Sequence, residues 1–414
     1  VRTEIINTGR ELIEGKKSAS SAFLTEKLSS IGISAARITT VSDSTGEIHD
    51  VVREALGRAN IIFCIGGMGS TSDDITRDVF ADISGRKLVF SRKAMENVAR
   101  YFARRGRDVP VKCENQAKIL QGSRVLPNDK GSSPGLFIEV NSSKIFLLPG
   151  PVDEVKSLMK GELFRMLKEY ESKIVRKSVL HIFHKCESEV YEMLSEVIET
   201  ERELEKKTVS FSFEKCPWGT DLSIECRGYD ELLVDELLHK IRSEVYDFIG
   251  EEVFGENKES LETVAGELLA RKRLTLGVAE SATGGLLSSL ITDAPGSSVY
   301  FKQGAVFYST RSKIKSLGVS SRTVENYGAV SEETALEMAQ RVRELYGVKC
   351  GISITGYAGP KAGEDKEAGT GYIGIDIDGD NCSYTVKFSG SRREIKEKFA
   401  YSALGYLWRK LKSE

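Results

Sequence analysis

Residues 277–308 constrain this chain more than any other stretch. An apolar, β-like run from Leu274 to Val278 stops at Glu280, and Ser281-Ala282-Thr283-Gly284-Gly285 follows. From Leu286 to Ile291 the apolar residues recur at helical spacing. A strand that turns through small residues into a helix is the unit from which layered α/β domains are built. The turn leaves backbone N–H groups unpaired at the positive end of the helix, where a phosphate or a developing oxyanion can be held. Ser281 beside such donors is a candidate nucleophile. Ser281 and Thr283 equally suit a helix cap, the usual role of these residue types.

The same alternation runs through the first 150 residues. Strand-like runs fall at Glu4–Thr8, Ala35–Val41 and Asn60–Ile65, with helical periodicity at Ser21–Ile31 and Glu47–Arg58. This order predicts a mostly parallel sheet covered by helices on both faces, with ligands at the carboxyl ends of its strands. A hairpin follows at Leu136–Val140 and Lys144–Leu148, and Pro149-Gly150-Pro151 breaks the chain before a helix. Residues 173–250 read as strand, helix, two strands, helix. That order resembles single-strand RNA-binding modules of the KH type, but the unit has no Gly-x-x-Gly clamp and is rich in Glu. A structural or dimerising role is expected for it, with a homodimer formed through residues 173–250. The charged stretch Gly250 to Lys258 reads as a linker. The expected division is 1–170, 171–250 and 251–414, with helix Glu332–Tyr346 and strand Lys349–Ile354 in the last part.

Composition narrows the function classes. The net charge of −2 gives no electrostatic case for direct nucleic-acid binding or for an anionic membrane surface. No apolar run approaches the roughly 20 residues of a membrane span, and the N-terminus reads as an immediate first strand without a signal-peptide pattern. Seven cysteines, an odd number, are widely spaced with no Cys-x-x-Cys, which points to reduced thiols in a cytoplasmic protein. His181 and His184 fall on opposite faces of a strand, so no metal site is expected there.

Four segments of the last part have the composition of a site: Glu280 to Gly285, Tyr308 to Lys313, Gly328 to Glu332, and Thr355-Gly356-Tyr357-Ala358-Gly359-Pro360. Arg392, after Ser389-Gly390-Ser391, adds a cation. That part contains no histidine, so a serine there needs another base. A lysine serves if burial or a nearby cation lowers its pKa, and Lys313 is the candidate. In the first part, Gly66-Gly67-Met68-Gly69-Ser70-Thr71 lets backbone approach a phosphate. Asp73 and Asp74 follow, suited to a divalent cation such as Mg²⁺ or to a helix dipole. Glu11 and Asn128 are weaker additions.

These residues resemble the competence/damage-inducible protein A (CinA) family along the whole chain. The motifs that carry the resemblance are Ala279-Glu280-Ser281-Ala282-Thr283-Gly284-Gly285, Pro295-Gly296-Ser297-Ser298, Tyr308-Ser309, Gly328-Ala329-Val330-Ser331-Glu332 and Thr355 to Pro360. The resemblance implies a molybdopterin-binding-like three-layer α/β domain, a small KH-like α+β domain and a three-layer α/β CinA-type domain. It implies that the last domain deamidates nicotinamide mononucleotide to the nicotinate mononucleotide and ammonia, within pyridine-nucleotide recycling and without a cofactor. Ser281 or Thr283 would attack and Lys313 would be the base. Glu280, Gly284, Gly285, Tyr308, Thr355, Gly356, Ala358, Gly359 and Arg392 would bind the nucleotide. The first domain would be a metal-dependent ADP-ribose pyrophosphatase using Gly66, Gly67, Gly69, Thr71, Glu11 and Asn128, with Asp73 and Asp74 on the metal. Here the sequence departs from the family: Arg10, Ser21 and Ser70 stand where Thr, Asn and Pro are usual. The alternative is a non-catalytic partner-binding protein of competence or DNA damage, with a degenerate first nucleotide site.

Overall fold

The computed structural model describes residues 1–170, 173–203, 208–360 and 367–413. The chain divides into two compact units, residues 1–176 with 227–235, and residues 177–226 with 236–414. The segment expected to stand alone as a middle domain therefore contributes most of its residues to the second unit. The expected boundary at residue 171 lies outside the described residues.

The strands of the first unit are β1 (Thr3–Thr8), β2 (Ala35–Val41), β3 (Ile61–Ile65), β4 (Leu88–Phe90), β5 (Lys118–Leu120), β6 (Arg124–Leu126), β7 (Gly135–Val140) and β8 (Ser143–Leu148). Six of them form one sheet in the order β2-β1-β3-β8-β7-β6, and β4 pairs with β5 apart from it. The sheet is parallel from β2 to β8 and antiparallel through the hairpin to β6. Alternation of side chains divides its strands between two apolar layers. Ile6, Ile62, Cys64 and Leu147 pack on one face, and Ile5, Phe63, Ile65 and Phe146 on the other. This is the three-layer α/β arrangement. The chain leaves β1 for β2 on one side and returns to β3 on the other, so strand order reverses at β1 and β3, where such sheets open a crevice.

The second unit holds most of β9 (Ile174–Phe183) and β11 (Gly219–Gly228), and all of β10 (Val209–Cys216), β12 (Val253–Glu256), β13 (Leu276–Glu280), β14 (Phe301–Val306), β15 (Cys350–Gly356), β16 (Thr370–Ile377) and β17 (Asp380–Lys387). One sheet runs β10-β11-β9-β12. The stretch expected to be a linker thus contains β12, which pairs antiparallel with β9. The other sheet runs β14-β13-β15-β16-β17, with β13 parallel to both neighbours and β15 to β17 antiparallel. The expected helix Glu332–Tyr346 has those bounds. It lies hard against the sheet because a Cβ on Gly351 would come within 2.1 Å of Ala339 O. The closing helix Arg392–Ser413 covers the opposite face through Phe399, Ala403 and Leu407. No described helix is long and apolar enough to cross a membrane.

Candidate functional site

In the second unit, β13, β14 and β15 deliver their carboxyl ends to one edge, and strand order reverses at β13. Ser281 follows β13 and donates its N–H to Ile354 O at 3.0 Å. Glu280 pairs with Ile354 in the parallel register, so the next position sets Ser281 beside Thr355, at roughly the 4.8 Å spacing of neighbouring strands. Ser281 is buried, and Thr283 and Thr355 are fully so. Thr283 Oγ1 has no hydrogen-bond partner. A buried hydroxyl left unmade is costly, so it marks a place where a ligand or water atom belongs.

Lys313 opens a single π-helical turn, Lys313–Leu317, after β14. Such turns interrupt a helix and frequently occur at functional positions. Its side chain is 2% exposed. The amine donates to Ala329 O at 3.0 Å and to Thr355 Oγ1 at 3.1 Å, and Thr355 Oγ1 donates to the same carbonyl at 3.0 Å. With neutral partners and no carboxylate on it, burial brings the amine down from 10.5 to about 8. That value suits a group that must lose and regain a proton near neutrality. The hydroxyl in contact with this amine is that of Thr355; no hydrogen bond joins Lys313 to Ser281.

Glu280, Gly284, Gly285 and Ala358, expected at the substrate, make contacts within the protein. Glu280 turns its buried carboxylate onto the following helix, Leu286–Asp293. It accepts from Gly285 N (2.8 Å), Leu287 N (3.1 Å), Ser288 N (2.8 Å) and Ser288 Oγ (2.6 Å). It is a helix cap, and it occupies the Gly285 donor expected for an oxyanion. Gly284 N is likewise spent, on Ser281 O at 3.2 Å. Ala358 is buried in the apolar core.

Arg392, Tyr308 and Gly359 are brought together. Arg392 donates to Gly359 O and to Tyr308 Oη, the latter at 2.9 Å, which ties the closing helix to two loops of the site. Gly284 and Gly285 take left-handed φ values of 63° and 100°. A Cβ on Gly284 would meet Lys396 Nζ at 3.5 Å. Lys396 was not foreseen from sequence. Its position four residues after Arg392 puts both cations on one face of the closing helix, a signal that was readable. The Ala329 carbonyl was equally unforeseen as a lysine partner, although its segment, Gly328 to Glu332, has the composition of a site.

In the first unit, a cavity of about 410 Å³ lies at the ends of β1, β3 and β8. Glu11, Gly66, Gly67, Gly69 and Thr71 line it, as do Asp73 and Asp74. Gly67 adopts φ 63°, and a Cβ there would meet Thr76 Oγ1 at 2.2 Å, so the loop folds tightly onto the helix start. Asn128 stands behind the wall. Its Nδ2 donates to Glu154 Oε2 at 2.6 Å and to Ser133 O at 2.8 Å, aiming Glu154 at the cavity. Burial pushes the Glu154 carboxyl up, against the opposing pull of the Asn128 amide and the charge of Arg105. Gln116 also lines the cavity, with Oε1 buried and unpartnered. Neither Glu154 nor Gln116 had a signal in the sequence.

The expected metal set does not form a cage. Asp74 spends both oxygens on its own loop, accepting from Gly69 N (2.7 Å), Thr71 N (2.8 Å) and Thr71 Oγ1 (2.5 Å). Asp73 accepts only from Ser72 Oγ at 3.2 Å. Among the described residues, no group of three or more His, Cys, Asp or Glu side chains could hold a metal ion.

Fold and sites together define a two-unit α/β protein with a glycine-rich loop at the switch point of each main sheet. Residues 4–169 match the family model described as a probable molybdopterin binding domain, and residues 258–411 match that of the CinA C-terminal domain. A CinA-like protein of Endomicrobium trichonymphae is 36% identical over 422 residues, covering 99% of both chains. A CinA-like protein of Dictyoglomus thermophilum is 32% identical over 417 residues, covering 99% of both. A solved structure of a competence-damaged protein (CinA) superfamily protein from Enterobacter cloacae is 34% identical, covering 37% of this chain and 94% of that one, with a TM-score of 0.36. The chain belongs to the CinA family.

Proposed function

We propose that the second unit is an amidohydrolase acting on nicotinamide mononucleotide. The observation that carries this reading is the buried Lys313 amine, held between two neutral oxygens, Thr355 Oγ1 at the carboxyl end of β15 and Ala329 O in the loop before helix Glu332–Tyr346, one strand from Ser281. A lysine buried without a carboxylate is expensive to keep charged, and a base role accounts for it. In the proposed reaction Ser281 Oγ attacks the carboxamide carbon; the Thr355 hydroxyl turns from Ala329 O, gives its proton to the neutral Lys313 amine and takes the Ser281 proton in exchange. The proton on Lys313 then goes to the amide nitrogen, the C–N bond breaks and ammonia leaves. Water attacks the Ser281 ester; one of its protons restores the Ser281 hydroxyl, the other passes to the neutral Lys313 amine and from there to solvent, and the carboxylate leaves. The Thr283 hydroxyl, unpartnered and buried beside Ser281, is available to the substrate carbonyl. Arg392 and Lys396 supply positive charge for the phosphate.

The first-unit cavity supports binding of a small polar ligand. The lining includes Glu11, Asp43, Asp73, Asp74 and Glu154 and no Lys, Arg or His, so a phosphorylated ligand would have to bring its own cation.

Purified protein should release ammonia from nicotinamide mononucleotide in stoichiometric yield with the nicotinate mononucleotide. Lys313→Met should lower kcat by about 10² to 10⁴-fold with the fold intact by circular dichroism. Absence of ammonia from the wild type, or full turnover in the variant, would reject the reading.

A further inference from the structure

A second cavity, about 480 Å³, lies within the second unit, away from the Ser281 and Lys313 loops. It opens between the β10–β11 turn and the end of β17, with the closing helix as its floor. The residues that give it character are Lys185, Lys215, Lys398, Trp218, Phe388 and Ser402. Its volume falls in the range of about 300–1,000 Å³ typical of small-molecule sites.

Its chemistry is two-sided. The Trp218 indole N–H is committed to Asp221 Oδ1 at 3.0 Å, so what the ring offers a ligand is carbon surface. Tyr401 packs edge-on against that indole at 5.2 Å, and Phe399 backs Phe388 at 6.0 Å, so both rings stand on fixed supports. Lys398 is held at the rim by its bond to Ser389 O at 2.9 Å. The amines of Lys185 and Lys215 make no hydrogen bond or ion pair with described residues. A fourth lysine, Lys387, is paired with Glu367. Two glutamates also line the cavity, and one of them, Glu189, is occupied by Cys186 N at 2.7 Å. Three cations that make no ion pair, with Glu189 acting on Lys185 and Glu394 on Lys398 and Lys215 only at longer range, stand beside two braced aromatic rings on a chain whose net charge is −2.

We propose that this cavity is a mononucleotide-binding site distinct from the Ser281–Lys313 site: a planar base lies against Trp218 and Phe388, and a phosphate is bound by Lys185, Lys215 and Lys398. Aromatic surface recognises the ring face without regard to its edge, and clustered amines recognise a dianion better than a single carboxylate. The closing helix carries Lys398 and Ser402 to this cavity and Arg392 and Lys396 to the other site.

AMP is the probe, and tryptophan fluorescence of the full chain is the readout. The chain has two tryptophans, and Trp408 is 2% exposed, so quenching by an added ligand reports Trp218. AMP should quench saturably with a midpoint below about 1 mM. The Lys185→Ala/Lys215→Ala double variant, altered at side chains that make no hydrogen bond or ion pair, should weaken that midpoint by about tenfold or more at an unchanged melting temperature. Lys396→Ala should leave it where it was. Quenching that never saturates, that survives the double lysine variant unchanged, or that disappears in Lys396→Ala would overturn the proposal.

Discussion

Lys313 ties the proposed chemistry to a measurable cost. Its ammonium loses its proton at about 8 in the folded chain and at 10.5 in the unfolded one, so between those values the unfolded state binds more protons. Stability therefore rises with pH across that window, by roughly 3 kcal/mol for a shift of this size. Lys313→Met carries no titrating group and lacks the rise. It should be more stable than the wild type at pH 7, with the advantage fading towards pH 10.5, as urea unfolding at the two pH values would show. A difference that stays constant with pH would remove the buried-cation account. Ammonia release by the wild type should climb as pH passes through about 8, as the amine becomes neutral, and then level off. Glu280 is a residue whose contacts the sequence did not show. Its place in the motif suggested substrate contact, yet its long side chain folds forward onto three N–H groups and a hydroxyl. Nothing in the local pattern distinguishes a carboxylate that faces a ligand from one that caps the next helix. Glu280→Gln keeps the shape but turns an NH₂ towards those donors, and should cost about 3 kcal/mol. A thermal midpoint unchanged from the wild type would refute the capping role.

Elements with strong punctuation were the ones legible in advance. Helix Glu332–Tyr346 was readable to the residue because Ser331 Oγ accepts from Thr334 N at 3.1 Å and Gly347 closes the helix at φ 60°. The β1, β2 and β3 runs were readable from their apolar content. β12 was missed because four residues containing a glycine, set among charges, carry no period; pairing with β9 makes it a strand. The π-helical turn at Lys313 was missed for a similar reason, since its geometry follows from packing around the buried amine. Arg392 was readable as a cation from its place after Ser389-Gly390-Ser391, but the second cation on its helix was not. If Lys396 supports the phosphate, Lys396→Ala should raise KM for nicotinamide mononucleotide about tenfold while changing kcat less, and added inorganic phosphate should compete less well. A fall in kcat at constant KM would instead place Lys396 at the reacting atoms.

At the scale of the molecule, each unit carries its own titrating lock, and the two respond to opposite ends of the pH range. In the first unit the Glu4 carboxylate is bound by Arg58 Nε at 2.7 Å and Nη2 at 3.0 Å, and the Arg58 guanidinium holds its pKa below 4.5. A depressed carboxyl contributes stability above its unfolded value and loses it as pH falls through the folded one. In the second unit His181 joins β9 to β11 and to the turn after β12. Nδ1 meets Asp221 Oδ1 at 2.8 Å and Nε2 meets Asn257 O at 3.2 Å, so the imidazolium satisfies both acceptors. Burial pulls its pKa down, but the Asp221 carboxylate and the Asn257 carbonyl together outweigh burial and raise it above 6.5. That stabilisation is full below 6.5 and is lost as pH rises through the raised value. Calorimetry should therefore resolve two responses. Between pH 8 and pH 6 the second-unit transition should move up, and Asp221→Asn should flatten that dependence while leaving the first-unit transition in place. Below about pH 4.5 the first-unit transition should fall, and Glu4→Gln should blunt that fall. A single transition that shifts identically in both variants would mean that the two units do not titrate separately.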